Sequence, residues 1–274
     1  MGIIFEALAA IGVVESNGGY RILDGHRGPL LDPEHPDYAG AFVNNRAEEI
    51  SQWTRLPEAI KSGEPVEDRT DASNSSKGLS PDFVERMRRE ALPSAEATAA
   101  TLLPLMPDGA RILDVGGGPG AIAEALTRGG ANVTVFDLPE VVDLVRERLE
   151  RAGIRAEAGD MNESLPDGPF DAVYLGHTSH MYGARENREL FRRLYGVLAP
   201  GGLLAIRDFV RGESAGAEMF AVNMLVFTPS GGTYTAEEYR AWLEKAGFEG
   251  FQAVRVPGRD THLVLGRRSE AGAN

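Results

Sequence analysis

The segment that most limits how this chain can fold runs from Arg111 to Leu126, RILDVGGGPGAIAEAL. A short apolar run meets four glycines and a proline between Gly116 and Gly120, and good helix formers follow. Strand, glycine turn and helix in that order are the first half of a β-α-β unit. The rhythm then continues. Strands are expected at 110–115, 133–137, 154–158, 171–176, 202–209, 250–256 and 261–267. Helices are expected at 119–129, 139–152, 186–198 and 235–246. Such alternation implies parallel pairing with crossovers. The last two strands are joined only by PGRD, so they form an antiparallel hairpin. The expected class is α/β, with a seven-stranded, mostly parallel sheet whose last strand is antiparallel. Thr235 and Glu238 form a capping box before the last helix, and Gly247 ends it.

Ahead of this region the pattern is helical. Ile4, Leu8 and Ile11 fall on one helix face, and ESNGGYRILDGHRG reads as a hairpin or wing. Helix and wing make a winged-helix-like fragment. Residues 1–40 hold two basic and six acidic residues, which disfavours DNA and favours packing or dimerisation. A helix is expected over 41–61, with Phe42, Ile50, Trp53 and Leu56 as packing positions. The polar stretch KSGEPVEDRTDASNSSKGLS is a long loop. A further helix starts with Ser80 as cap and Pro81 in its first turn, and Ser94 caps the next. The expected domains are 1–93, a smaller, mainly helical dimerisation and substrate-capping region, and 94–274, the α/β domain.

The net charge is −13, so nucleic acid and anionic membranes are poor partners. There is no cysteine, which excludes disulfides, thiolate metal sites and a cysteine nucleophile. The apolar run GIIFEALAAIGVV carries Glu6, lacks a basic leader and is too short to span a bilayer. A cytoplasmic protein is expected.

Ligands of open α/β sheets bind beyond the carboxyl ends of the strands. The glycine loop lies at such an end, with a helix N-terminus aimed at the same spot. Asp137, in VTVFDLPEV, ends the next strand 23 residues after Asp114 and suits the two hydroxyls of a ribose. Asp160, in AEAGDMNESLP, ends the third and suits an exocyclic amine such as that of adenine. Singly, each acid reads as a solvated group or a cap; together, three acids at successive strand ends mark a site. The nicotinamide fingerprint spaces its glycines G-x-G-x-x-G. Here Asp114, Gly116, Gly118 and Gly120 read D-x-G-x-G-x-G. An acid so placed repels pyrophosphate and suits an ammonium. S-adenosylmethionine carries an ammonium, a carboxylate, a ribose diol and an adenine amine, and matches these features.

ILDVGGGPG, VFDLPEV, AGDM and LAPGGLLAIRDF resemble the successive motifs of class I S-adenosylmethionine-dependent methyltransferases. IFEALAAIGVVES, GYRI, IKSGEP and GGTYTAEEYRAWLEKAGF extend the resemblance to small-molecule O-methyltransferases of the caffeate and hydroxyindole type. It implies a Rossmann-like methyltransferase sheet, an N-terminal winged-helix dimerisation region, a homodimer and a small-molecule acceptor. Gly116, Gly118, Gly120, Asp114, Asp137 with Leu138, and Asp160 with Met161 would hold the cofactor, and His177 would line its wall.

The YLGHTSHMYGAREN segment offers His177 and His180 as bases for a phenol, whose pKa near 10 keeps it protonated at neutral pH. Counting back from Phe191, the resemblance selects His180 as base and Asp208 as the acid that orients it. Family features differ at several positions: Met181 stands for an acid, Tyr182 for a tryptophan and Thr233 for a second acid. Gly176 stands where a lysine is frequent. Met87, Met219, Asn223, Met224 and Phe227 are expected in the acceptor pocket, with Phe83, Trp53 and Tyr182 as further possibilities. No His/Asp/Glu cluster has metal-ligand spacing along the chain, so no metal is expected. The expected reaction is in-line methyl transfer to a hydroxyl of an aromatic or polyketide-like molecule. Transfer to nitrogen or carbon, and cofactor binding without transfer, are the alternatives; glycine spacing disfavours a nicotinamide enzyme.

Overall fold

The computed structural model describes residues 2–32, 35, 38–70, 81–256 and 260–270. Ser80, residues 257–259 of the expected hairpin connection and the side chains of Phe42 and Phe83 lie outside what is described. Contacts divide the chain into two compact units, Met1–Ser51 and Gln52–Asn274.

The first unit holds α1 (Gly2–Ala10), β1 (Val14–Ser16), β2 (Tyr20–Ile22), α2 (Asp24–Leu31) and the start of α3 (Gly40–Trp53). β1 and β2 form the expected antiparallel hairpin, Val14 opposite Ile22. Phe5 stacks on Tyr20 at 4.9 Å. α1 buries none of its residues, and Ile3 and Ile4 are 82% and 64% exposed. α2 was not expected, because Gly25, Gly28 and Pro29 are poor helix formers.

The second unit begins with α4 (Leu56–Ser62) and α5 (Pro81–Leu102). One helix expected over 41–61 is therefore two, α4 restarting at Leu56-Pro57 and ending on Gly63 in the left-handed region. Conversely, the two helices expected around Ser94 are one. Ser94 is not a cap; its hydroxyl donates to Ala91 O within α5, one residue after Pro93. Packing carries the helix past that proline, since Ala95, Ala99 and Leu102 are 0–2% exposed. The boundary expected after residue 93 thus falls inside α5, whereas the contacts separate the units after Ser51.

The sheet follows: β3 (Arg111–Val115), β4 (Asn132–Asp137), β5 (Arg155–Ala158), β6 (Phe170–Gly176), β7 (Leu198–Asp208), β8 (Phe248–Arg255) and β9 (His262–Arg268). Its order is β5-β4-β3-β6-β7-β9-β8. β9 runs antiparallel to both β7 and β8, and the other pairings are parallel. Between strands lie α6 (Ala121–Arg128), α7 (Pro139–Arg151), α8 (Ala184–Val197), α9 (Ala215–Phe227) and α10 (Ala236–Ala246).

Alternation along β3 sends Ile112 and Leu113 to opposite faces. Ile112 joins Leu102, Leu126 and Leu149 of α5, α6 and α7. Leu113 joins Leu190, Phe191, Leu194 and Leu243 of α8 and α10. Each such leucine contributes roughly 1.5–3 kcal/mol on burial. The capping box at α10 is present: Glu238 N–H donates to Thr235 Oγ1 at 3.2 Å, and Thr235 N–H to Glu238 Oε2 at 2.8 Å. No helix among the described residues is long and apolar enough to cross a membrane.

Candidate active site

β3 hands the chain to β4 on one side, and β6 lies on its other side, so the strand order reverses at β3. The glycine loop leaves the sheet at that point. Gly116 and Gly118 have φ of +64° and +51°, which a side chain would strain. Gly117 has a different constraint: a Cβ there would lie 2.8 Å from Asp114 Oδ2. The loop therefore rests directly on the Asp114 carboxylate.

Above it is a cavity of about 360 Å³ within the second unit. Gly116, Gly118, Asp137, Leu138, Asp160 and Met161 form part of its wall. Asp137 ends β4, and its Oδ2 accepts the Gly118 N–H at 2.7 Å while Oδ1 accepts the Leu138 N–H at 2.7 Å. Burial raises the Asp137 pKa above its ordinary value, against those two amides. Asp160 Oδ1 accepts the Asn162 N–H at 2.7 Å, and Asn162 Nδ2 donates to the Tyr182 hydroxyl at 3.1 Å. Asp137 and Asp160 therefore share one crevice, as the sequence led us to expect.

Asp114 stands apart. It is 2% exposed, is not on the cavity wall, and its Oδ2 has no hydrogen-bond partner among the described residues. Burial, with a smaller push from Asp137, raises its pKa to about 7. Gly120 and His177 are also off the wall. Gly120 caps α6 with φ +73°, and a Cβ there would meet Leu149 Cδ2 at 2.5 Å. Its place is a packing position between loop and α7.

His180 lies in a short 3-10 turn, Ser179–Met181, between the wall residues Thr178 and Met181. Its Nδ1 is 2.7 Å from Asp208 Oδ1, and its backbone N–H donates to Asp208 Oδ2 at 3.0 Å. The side chains are 8% and 0% exposed. Burial alone would raise the Asp208 pKa; the imidazoles of His180 and His177 and the Phe209 amide hold it below the ordinary carboxylate value. Phe220 of α9 meets the His180 ring edge-on at 4.7 Å and stacks on Phe209 at 4.2 Å.

Several groups hold that turn, and sequence reasoning missed them. Asn187 Nδ2 is within 2.9–3.1 Å of the carbonyls of Ser179, Tyr182 and Gly183. The Ser179 hydroxyl and the Tyr239 hydroxyl are 2.9 Å apart. Thr233, which the sequence places where relatives carry a second acid, is not part of that turn: its Oγ1 donates to Ala217 O of α9 at 3.2 Å. Among the described residues, His177, His180 and Asp208 are also the one set of three or more His/Asp/Glu residues whose ligand atoms lie within 4.8 Å of one another. Spacing along the chain concealed that proximity. His177 is exposed and has φ +54°, the only positive φ outside glycine among the described residues.

Of the expected acceptor residues, Met87 of α5 is on the cavity wall. Met219 is 58% exposed. Asn223 accepts the Trp53 indole N–H at 2.8 Å. Met224 and Phe227 are 3% and 1% exposed and off the wall. Arg69, Thr70 and Thr178 line the cavity and carried no sequence signal.

Residues 84–249, more than half of the chain, match the model of the O-methyltransferase domain. The chain belongs to the O-methyltransferase family. It is an S-adenosylmethionine-dependent methyltransferase, as its motifs implied. The 3-hydroxy-5-methyl-1-naphthoate 3-O-methyltransferase of Streptomyces sahachiroi is 31% identical over 268 residues, covering 92% of this chain and 76% of that protein. The tetracenomycin polyketide synthesis 8-O-methyltransferase of Streptomyces glaucescens is 28% identical over 283 residues, covering 96% and 81%. The structure of human N-acetylserotonin methyltransferase in complex with SAM aligns with a TM-score of 0.75 and 24% identity, over 98% of this chain and 82% of that one. This O-methyltransferase thus shares the fold of that human structure, and its own sheet is seven-stranded and mostly parallel.

Proposed function

We propose that this O-methyltransferase methylates a hydroxyl of an aromatic or polyketide-like small molecule, with His180 as general base. The observation that carries the reading is the buried His180–Asp208 pair beside the cavity. The named substrates of the two bacterial relatives, a naphthoate and a polyketide, support the acceptor class.

The cavity residues fit S-adenosylmethionine, which supplies an electrophilic methyl group on a sulfonium. Gly116 and Gly118 let backbone approach the ligand closely. Asp137 receives the ribose diol, beside Leu138. Asp160 and Met161 receive the adenine end. Asp114, buried beneath the loop, supplies negative charge under the ammonium. Its partnerless Oδ2 is the feature that such a cation would compensate.

Asp208 fixes the acceptor chemistry. Its Oδ1 holds Nδ1 of His180 as a donor, so Nε2 is the nitrogen that takes the phenol proton. The carboxylate then stabilises the imidazolium. Phe209 and Phe220 shield the ring from water, which strengthens that interaction. Thr233 cannot ionise and Met181 is apolar, so the pairing rests on Asp208 alone among the expected acids. That sparseness favours, as a second reading, an amine or carbon acceptor that needs less base.

Methyl transfer across phenols, amines and carbon acids, with wild type and His180→Ala, separates the two. The first reading expects methylated phenols from wild type, and loss of turnover with retained S-adenosylhomocysteine binding in the variant. Near wild-type turnover of His180→Ala contradicts the base assignment. The exposed Ile3, Ile4 and Ile11 of the first unit support a homodimer as the working form, which sedimentation of the full chain tests.

A further inference from the structure

We propose that Arg148 is a positioning residue for the cofactor loop: it holds the Pro119 carbonyl, so that the neighbouring Gly118 amide stays on Asp137. This rests on the reading of the cavity as the S-adenosylmethionine site, and gives that site a determinant outside its wall.

Gly118 and Pro119 both lie on the cavity wall. The tether in question is the Gly118 N–H, which donates to Asp137 Oδ2 at 2.7 Å. Three consecutive glycines lead up to it, a backbone with much conformational freedom to lose, so the loop needs an external hold. The peptide unit joining Pro119 to Gly120 supplies the handle. Its N–H, that of Gly120, closes the turn on Gly117 O at 2.9 Å. Its C=O falls one residue ahead of Gly120 O, which takes the first helical amide, that of Glu124, at 2.9 Å. The Pro119 carbonyl instead accepts from Nη2 of Arg148, which lies on α7. A peptide unit is planar, so fixing both of its polar groups fixes its orientation.

Arg148 is itself held. Its Nη1 donates to Glu124 Oε1 on α6, and Glu124 Oε2 accepts from Nη1 of Arg88 on α5 at 3.3 Å. Arg88 Nε donates to Glu85 Oε2 at 2.9 Å. The Glu124 and Arg148 side chains are 12% and 28% exposed, so this pair is screened less than the surface pairs that contribute little. Burial lowers the Arg148 pKa and Glu124 opposes the shift. The planar fork lets one cation serve a carboxylate and a carbonyl at once, which a lysine cannot reproduce. Leu149, the next residue of α7, packs at Gly120, so consecutive side chains of one helix meet consecutive loop residues. That helix starts at Pro139, two residues after Asp137. The element that follows the ribose acid thus also clasps the loop that tethers it.

The test is calorimetric titration of the full chain with S-adenosylhomocysteine, beside thermal unfolding. It uses wild type, Arg148→Met, Asp137→Asn, the double variant of these two, and Arg268→Met. Arg268 is the control. Its Nη1 donates to Tyr195 O at 3.1 Å and Gly196 O at 3.3 Å, a similar clasp at the start of β7, the opposite end of the sheet from the glycine loop. The proposal expects Arg148→Met to bind roughly tenfold more weakly than wild type. The double variant should lose less than the product of the two single losses, because both act on one tether. Arg268→Met should unfold at a lower temperature and keep wild-type affinity. Arg148→Lys keeps the charge without the fork; it should weaken binding by a smaller factor, and it carries the test if the methionine variant does not fold. Wild-type affinity in the folded Arg148 variants, losses that multiply in full, or an equal loss in Arg268→Met overturns the proposal. Failure of wild type to bind S-adenosylhomocysteine, or unaltered affinity in Asp137→Asn, would instead refute the underlying reading of the cavity.

Discussion

His180 and Asp208 meet twice, ring to carboxylate at 2.7 Å and backbone amide to carboxylate at 3.0 Å. One fully buried acid therefore sets both where the histidine sits and which ring nitrogen carries the proton. Asp208→Asn keeps the shape but loses the anion. Turnover of a phenolic acceptor should fall about 10²–10⁴-fold, with little change in KM or in S-adenosylhomocysteine affinity. Steady-state kinetics beside calorimetry check this. A rise in KM at constant kcat would show that Asp208 serves binding instead.

Asn187 should matter to rate as well as to stability. Its amide group reaches three carbonyls of the turn that carries His180. Asn187→Leu leaves those acceptors in a buried setting, costing about 1–3 kcal/mol of stability. If the turn positions the base, kcat falls roughly tenfold while cofactor affinity holds, because a small displacement of a reacting group is costly. Thermal unfolding and kinetics on the same variant separate the effects. Lost stability with unchanged kcat would make Asn187 purely structural.

Asp114 makes the ligand-free protein sensitive to pH. Its folded pKa of about 7 lies above the value of about 3.9 for an unfolded chain. Below pH 4 both states are protonated. Between pH 4 and 7 the unfolded state releases its proton first, so stability falls as pH rises, and above 7 the loss is complete. Three pH units correspond to roughly 4 kcal/mol, an upper figure for a fully buried group. Asp114→Asn removes this dependence. Denaturant unfolding from pH 4 to 8 should show the variant gaining on wild type across that window. Parallel curves would contradict the assignment.

The β/α alternation was legible because each strand is a short apolar run and each crossover helix has one polar face. The strand ends, and with them Asp137 and Asp160, followed from that. α9 was not legible. Its sequence AGAEMFAVNMLVF is apolar almost all round, so no helical period stands out, although Ser214 caps it, accepting the Ala217 N–H at 3.1 Å. Ser94 was misread because a hydroxyl bonding backward inside a helix and one capping the next look alike in sequence. Asp114 was counted with the other acids because position along a strand does not reveal which side of a one-residue-thick loop a carboxylate takes. Asn187 meets three carbonyls that only the fold brings together, and no local pattern announces that.

The claim on which the rest depends is that Asp137, tied to the Gly118 amide at 2.7 Å, receives the ribose of the cofactor. Asp137→Asn retains an oxygen for that amide but loses the charge that accepts a diol. Calorimetric titration with S-adenosylhomocysteine is the direct measurement. The account predicts affinity weakened by roughly ten- to a hundredfold, the worth of about 1.5–3 kcal/mol for a hydrogen bond to a charged group. Unaltered affinity in a folded variant would contradict it.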